Sequence, residues 1–571
     1  MNKFFKKPIL YFFLLVCFLK PHVQAENLDF SFTYDFYYEV QKTGFVRVTQ
    51  KIIITNLEED VIPKKYTLSY KKYDMKNIKA VINGRETDPV VNHKDTETEI
   101  NVALNRYAVG KGRQNMITIY YDTENIAYKT GKVWVVYIPK VNIPANTTLY
   151  NIRLSVPEDF GPKIFISPEP SISEKENEKN IYYFTKEEIE DSSITASFGE
   201  YQILNFKIKY QIKNPGILSA IHKIALPPDI RGVQQVKYQS ILPKPKDIEI
   251  DGDGNAMAVY KLGPKSEKEI ELSGSAKILG RQINPSFGRH FEDLPESLVE
   301  KYTEKQQYWE VDSPRIANLA NELKNENENI IKNAGKVYDY VVENLVYDFE
   351  ALEKDRVERH GAETALTEKG YWTCTEFTDL FIALTRAMGI PSREINGYAF
   401  TTDETERPLS ISIKGGDLLH SWAEFYDPSY GWIQVDPTWG STSGIDYFTK
   451  LDTNHFAFVV RGLSSQYPYP AGDYRYNDNE KLVEVDYADN FSESGFETSV
   501  SYKKAFSLNL IKLFKGLKKY KITNTGGVFI YLEDGNILAP GESIKHFFDK
   551  DNPVFKYHNF EGVLIEKNLT D

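Results

Sequence analysis

A thiol, an imidazole and a carboxylate occur along the chain in the order Cys374, His420, Asp436. Such a set does nucleophilic chemistry when folding brings it together, because the thiol needs a base and the base needs an orienting acceptor. Thr373-Cys374-Thr375-Glu376 has the form of a capping box, which makes Thr373 an N-cap and puts Cys374 in the first turn of a helix. Apolar residues Phe377, Leu380, Phe381, Leu384 and Met388 continue that helix, and Gly389-Ile390-Pro391 stops it. First-turn N–H groups and the positive end of the helix dipole favour a thiolate, and the same groups can hold a developing oxyanion. The competing reading of Cys374 is a small apolar filler, since free cysteine is among the most buried residue types.

His420 falls within a strand-like run, 418–426, followed by a turn over 427–431 and a second strand, 432–436, which Pro437 ends. An antiparallel pair joined by that turn can set His420 and Asp436 side by side on one sheet face. Taken singly, a histidine is more often structural and an Asp before Pro is more often a turn former. Together, behind a helix-starting cysteine, they form a much rarer combination.

The elements around this set read as several domains, as a length of 571 residues leads one to expect. From Leu28 onward Phe30, Phe32, Tyr34, Phe36, Tyr38 and Val40 alternate with mostly polar residues, the period of an antiparallel strand with one buried face. Similar runs predict a β-sandwich over 26–200 and a second β-rich domain over 201–292. Within the latter, Asp251-Gly252-Asp253-Gly254-Asn255 invites a calcium-loop reading. Ala256 and Leu262 stand where such a loop needs its glycine and its last acid, so a hairpin turn is expected. Helical spacing then takes over (Ile316, Leu319, Ala320 and Leu323; Val337, Tyr338 and Val341), and 293–472 reads as the unit that holds the three candidate residues. The remainder, 473–571, is expected to be a polar linker and a small C-terminal β domain. Its segment 503–520 reads as a strand or helix docked against that domain rather than a basic amphipathic helix on a membrane or wall surface, because Gly516 weakens the helix and Leu508 and Ile511 fall off its stripe.

Composition narrows the function classes. A net charge of −12 argues against a nucleic-acid partner, and a hydrophobic fraction of 41% argues against a mainly disordered chain. Residues 1–25 read as a signal peptide: Lys3, Lys6 and Lys7 precede a short apolar run, and Val23-Gln24-Ala25 supplies the small-x-small cleavage pattern. Secretion to the periplasm, the cell surface or beyond follows, with no transmembrane helix in the mature chain. Of the 2 cysteines, Cys17 leaves with the leader, so Cys374 has no disulfide partner.

Three blocks carry a family resemblance. Ala362-Glu363-Thr364-Ala365-Leu366 leads to Cys374 and on to Leu380 through Arg393, then Gly397-Tyr398. His420-Ser421-Trp422-Ala423-Glu424 and Gly431-Trp432, with Asp436-Pro437-Thr438, follow in order. Over about 310–460 the chain resembles the transglutaminase-like superfamily. The resemblance implies a papain-like α+β core with Cys374 as nucleophile, His420 as base and Asp436 as orienter, and no cofactor or metal. It also implies attack on a carboxamide or peptide carbonyl through a thioester, with transamidation, proteolysis and amide hydrolysis all open. The implied partner is a protein or peptide substrate, cell-wall material included; the alternative is a catalytically silent scaffold or binding protein of the cell envelope. The family usually has Gly two residues before the cysteine, where this chain has Trp372, whose indole N–H is a candidate second oxyanion donor. His360 and His455 match no family block and are expected to be structural or surface residues.

Overall fold

A computed structural model describes residues 29–569, apart from 72–73, 94–96, 140–142, 145, 191–192, 354–357, 401–406, 410, 414–416, 478, 489–494, 508, 510–511, 513–515 and 550. The expected leader, 1–25, lies outside the described residues. Among the described residues no helix is long and apolar enough to cross a membrane.

The alternating aromatic run becomes the strand Phe30–Val40, which pairs with Val46–Asn56 so that Tyr38 faces Val48. Its even-numbered side chains from Tyr34 to Val40 are buried, as period 2 demands. On its other edge Phe30–Val40 pairs in parallel with Thr147–Pro157, so this sheet is mixed, although only antiparallel pairing was expected. Parallel neighbours need a long connection, and here the intervening chain supplies further strands of the same fold. An eight-stranded sheet and a four-stranded sheet enclose one apolar core containing Phe36, Ile52, Ile119, Val136 and Phe198.

In the second β-rich segment, Gln202–Asn214 lies between Ser266–Ile278 and Val483–Tyr487. The stretch expected to be a linker therefore contributes a strand, because Val483 and Val485 find an apolar face to cover. Asp251–Asn255 is a turn, and its acids are already used. Asp251 Oδ1 accepts from the backbone N–H groups of Asp253 at 2.9 Å and Asn255 at 2.8 Å. Asp253 Oδ2 accepts from those of Gly462 at 3.0 Å and Leu463 at 3.1 Å, clamping the turn onto the neighbouring unit.

That unit is α+β. The helix Cys374–Ala387 is enclosed by protein: Phe377, Leu380, Phe381 and Leu384 are all buried, as are the polar Thr378, Asp379 and Thr385. It packs against the strand Asp417–Asp427 and against the helices Pro314–Leu323 and Ile330–Asn344. In the sheet, Asp417–Asp427 has Ser392–Ala399 on one edge and Ile411–Ile413 and Gly431–Val435 on the other; His455–Arg461 lies beyond Ser392–Ala399. At the C-terminal end, Val500–Lys504 and Leu517–Asn524 pair as strands, while much of 508–515 lies outside the described residues. This last β unit is held by the Tyr531 hydroxyl, which donates to Asp229 at 2.6 Å.

Candidate functional site

The start of the Cys374 helix is fixed as its sequence implies. Glu376 accepts from the Thr373 backbone N–H at 3.1 Å and from its hydroxyl at 2.8 Å, and its other oxygen takes the His360 N–H at 2.9 Å. Below the helix, the buried Asp379 accepts from the Trp309 indole at 2.8 Å and from Arg359, whose guanidinium also reaches Glu394. A buried acid without those donors would cost several kcal/mol, so the network locks the helix in one orientation. Cys374 occupies the first helical position and is buried.

His420 and Asp436 come from adjacent strands, as their spacing predicts. Ala423 pairs with Val435, which carries the chain directly into Asp436. Asp436 is the N-cap of the helix Pro437–Ser443: its Oδ1 accepts from the Thr438 and Trp439 N–H groups, each at 3.0 Å. Its Oδ2 turns the other way and meets His420 Nε2 at 2.9 Å. With Nε2 engaged, Nδ1 is buried and makes no hydrogen bond among the described residues, while the nearby Cys374 side chain favours the charged form of the ring. All three side chains are 0% exposed. Trp439 stacks on the His420 ring with centroids 5.1 Å apart, and its indole N–H donates to the Pro408 carbonyl at 3.0 Å.

Burial works against a charged His420, but the Asp436 carboxylate and the contact with Cys374 outweigh it and raise the imidazole to about 9. Burial would likewise raise Asp436, yet the charge of His420 and the hydrogen bonds from His420 and His455 hold it far below the usual carboxylate range. The Asp436 carboxylate thus favours a charged His420 beside the Cys374 sulfur, and all three side chains are buried.

His455 is the residue that sequence reasoning placed outside the site. It is buried, its Nε2 lies 3.2 Å from Asp436 Oδ2, and its Nδ1 lies 2.9 Å from Asp452 Oδ1. Register explains the approach: Gly397 pairs with His420 on one side, and Ala399, two residues on, pairs with His455 on the other. Positions two apart share a face, so both rings emerge together. No local motif announces this; only the strand order does. His420, Asp436 and His455 have the composition of a metal site, and their ligand atoms cluster closely. However, both Nε2 atoms address the single oxygen Oδ2 at hydrogen-bond distance, and Oδ1 is filled by backbone donors. The cluster is a hydrogen-bonded one. His360 is exposed, and its ring meets the edge of Trp372 at 5.8 Å. Trp372 itself is anchored by its backbone N–H, which donates to Val346 at 2.8 Å.

Residues 317–437 match the model of the transglutaminase-like superfamily. An uncharacterized protein of Bacillus subtilis strain 168, YebA, is 29% identical over 227 residues, 38% of this chain and 30% of that protein. An uncharacterized protein of Haemophilus influenzae is 31% identical over 120 residues, 19% of this chain and 31% of that protein. The chain thus spans about a third of the length of these curated relatives. Among solved structures, a provisionally named cysteine protease from Cytophaga hutchinsonii aligns at 18% identity with a TM-score of 0.32, over 50% of this chain and 98% of that one.

Proposed function

We propose, from the premise that the chain carries a transglutaminase-like domain, that it is a thiol enzyme in which Cys374, His420 and Asp436 transfer an acyl group. The observation that supports this most is that Cys374 at the start of its helix interacts electrostatically with His420, whose Nε2 lies 2.9 Å from the Asp436 carboxylate, with all three side chains buried. Cys374 Sγ, its proton passed to His420, attacks the carbonyl carbon of a carboxamide or peptide. First-turn N–H groups of its helix receive the oxyanion. The His420 imidazolium gives its proton to the departing nitrogen, the C–N bond breaks, and a thioester remains on Cys374. An amine or water then attacks the thioester, with His420 taking the proton, and the thiol is restored. A protein or peptide, cell-wall peptide included, supplies the carbonyl. The basic, apolar and small-x-small pattern of residues 1–25 supports export, with this chemistry acting in the periplasm or at the cell surface.

One observation favours the second reading, a silent scaffold: Cys374 is 0% exposed, as a core filler would be. Iodoacetamide labelling of the full chain near pH 6 separates the two. A nucleophile paired with imidazolium reacts at that pH and the adduct maps to Cys374; a filler stays unlabelled until the core unfolds.

A further inference from the structure

Beyond the three residues above, one buried ionisable group touches the same carboxylate and has no part in the proposed chemistry. We infer that His455 is a positioning residue of this site, one that together with Asp452 sets the charge that Asp436 presents to His420. The inference rests on the reading of Cys374 and His420 as a thiol–imidazole pair.

The geometry is a chain of alternating partners. Asp452 Oδ1 lies 2.9 Å from His455 Nδ1, His455 Nε2 lies 3.2 Å from Asp436 Oδ2, and that same oxygen lies 2.9 Å from His420 Nε2. One carboxylate oxygen thus serves two imidazoles, whose ring centroids are 6.0 Å apart. His455 cannot swing away, because Trp422, Trp439 and Tyr447 enclose its ring at 5.0, 4.7 and 5.9 Å. Asp452 is held in turn by the Tyr447 hydroxyl at 3.0 Å.

Among the described residues, the titratable groups that face this chain include Cys374 from its helix, Tyr338 from Ile330–Asn344, Arg407, Tyr447, Tyr487 and the two carboxylates. Burial opposes charge on His455, but Asp452 and Asp436 outweigh it and raise the ring to about 9, as with His420. With both rings protonated, His455 offsets part of the negative charge that would otherwise act on His420 alone. Three consequences of removing His455 share one sign. The like charge beside His420 disappears, Asp452 is left uncompensated nearby, and Asp436 loses a donor and becomes the stronger base. Each makes the His420 imidazolium harder to deprotonate.

Iodoacetate is the probe, because its negative charge is drawn by an imidazolium beside the thiol and loses that attraction when the ring deprotonates. Its rate on Cys374 is followed by peptide mass spectrometry from pH 5 to 11, with neutral iodoacetamide as the reference for thiol ionisation alone. The variants are His455→Gln, which keeps an N–H donor, and His455→Phe, which keeps the ring volume, both as full chains screened for wild-type unfolding temperature. The inference predicts that the descending basic limb of the iodoacetate-to-iodoacetamide ratio moves up by about one pH unit in whichever variant passes that screen. A basic limb at the wild-type position overturns the inference and leaves the proposed function standing, even where the rate falls uniformly. Failure of both variants to fold overturns it too, since His455 would then serve the core. A wild-type chain with no descending limb overturns the thiol–imidazole pair itself, and this inference with it.

Discussion

Asp436→Asn isolates the carboxylate charge while keeping the side chain's size. In the wild type the Asp436 carboxylate accepts four hydrogen bonds, two from the amides that begin the helix Pro437–Ser443 and two from imidazoles. An asparagine that keeps Oδ1 on the backbone amides must point its NH2 at two ring nitrogens that both donate. Each ring then gives up a proton or loses its partner. His420 stands at about 9 against an ordinary 6.5 because burial is outweighed chiefly by this carboxylate. Without it the imidazole returns toward 6.5 or falls below it. That change corresponds to about 3 kcal/mol, or about 300-fold in the ratio of imidazolium to imidazole. The expected result is an iodoacetamide rate that drops by about 30-fold at pH 7 and about 4-fold at pH 8, with Cys374 approaching the profile of a free thiol near 8.5. The loss is smaller than that caused by Cys374→Ala, because the thiol itself remains. An unchanged rate and pH profile in a folded Asp436→Asn chain would refute the assignment of Asp436 as the orienter of His420.

Cys374→Ala removes every acyl-transfer activity while leaving the unfolding temperature within a few degrees of wild type; turnover near the wild-type level would exclude a Cys374 nucleophile. Stability of the core depends on pH with a definite sign. His420 and His455 are raised from 6.5 to about 9, so their contribution is complete below about 6.5 and is lost as pH rises through about 9. Asp436 is lowered, so its contribution is present above about 3.8 and is lost as pH falls. Five of the six tryptophans lie within 293–472, and their fluorescence on heating should report a lower transition at pH 10 than at pH 7. Gly440→Ala puts a Cβ into the Tyr338 hydroxyl, which donates to the Asp436 carbonyl at 3.2 Å. The expected cost is about 1–3 kcal/mol together with slower Cys374 labelling. Asp253→Ala strips the acceptor from the Gly462 and Leu463 amides, for about 1–3 kcal/mol. Limited proteolysis should then cut between the second β segment and the helical unit faster than in wild type.

Local chemistry makes much of this structure legible in the sequence. The capping box Thr373–Glu376 fixes where the Cys374 helix begins, and the turn before Gly431 brings His420 and Asp436 onto paired strands. The calcium-like loop was separable from a hairpin because Ala256 and Leu262 break the ligand pattern, and its acids indeed bind backbone amides. Period-2 alternation revealed strands but not their order. Neither the parallel neighbour of Phe30–Val40, more than a hundred residues away, nor the strand Val483–Tyr487 follows from a local pattern. His455 is the costliest omission for the same reason. Its place beside Asp436 depends on two strand pairings and on its register opposite Ala399, and neither leaves a trace in the residues around it. The parallel pairing, the added strand and His455 are all long-range pairings, decided by which apolar faces meet.

The proposed function stands or falls on an acyl group carried by Cys374 as a thioester. The most direct measurement exposes the wild-type chain and Cys374→Ala to a cell-envelope protein extract, quenches in acid, and compares the masses of the Cys374 peptide before and after neutral hydroxylamine. The account predicts a mass increase on that peptide that hydroxylamine removes and that is absent from the alanine variant. An adduct that resists hydroxylamine, or an acylated chain that still forms without Cys374, would contradict it.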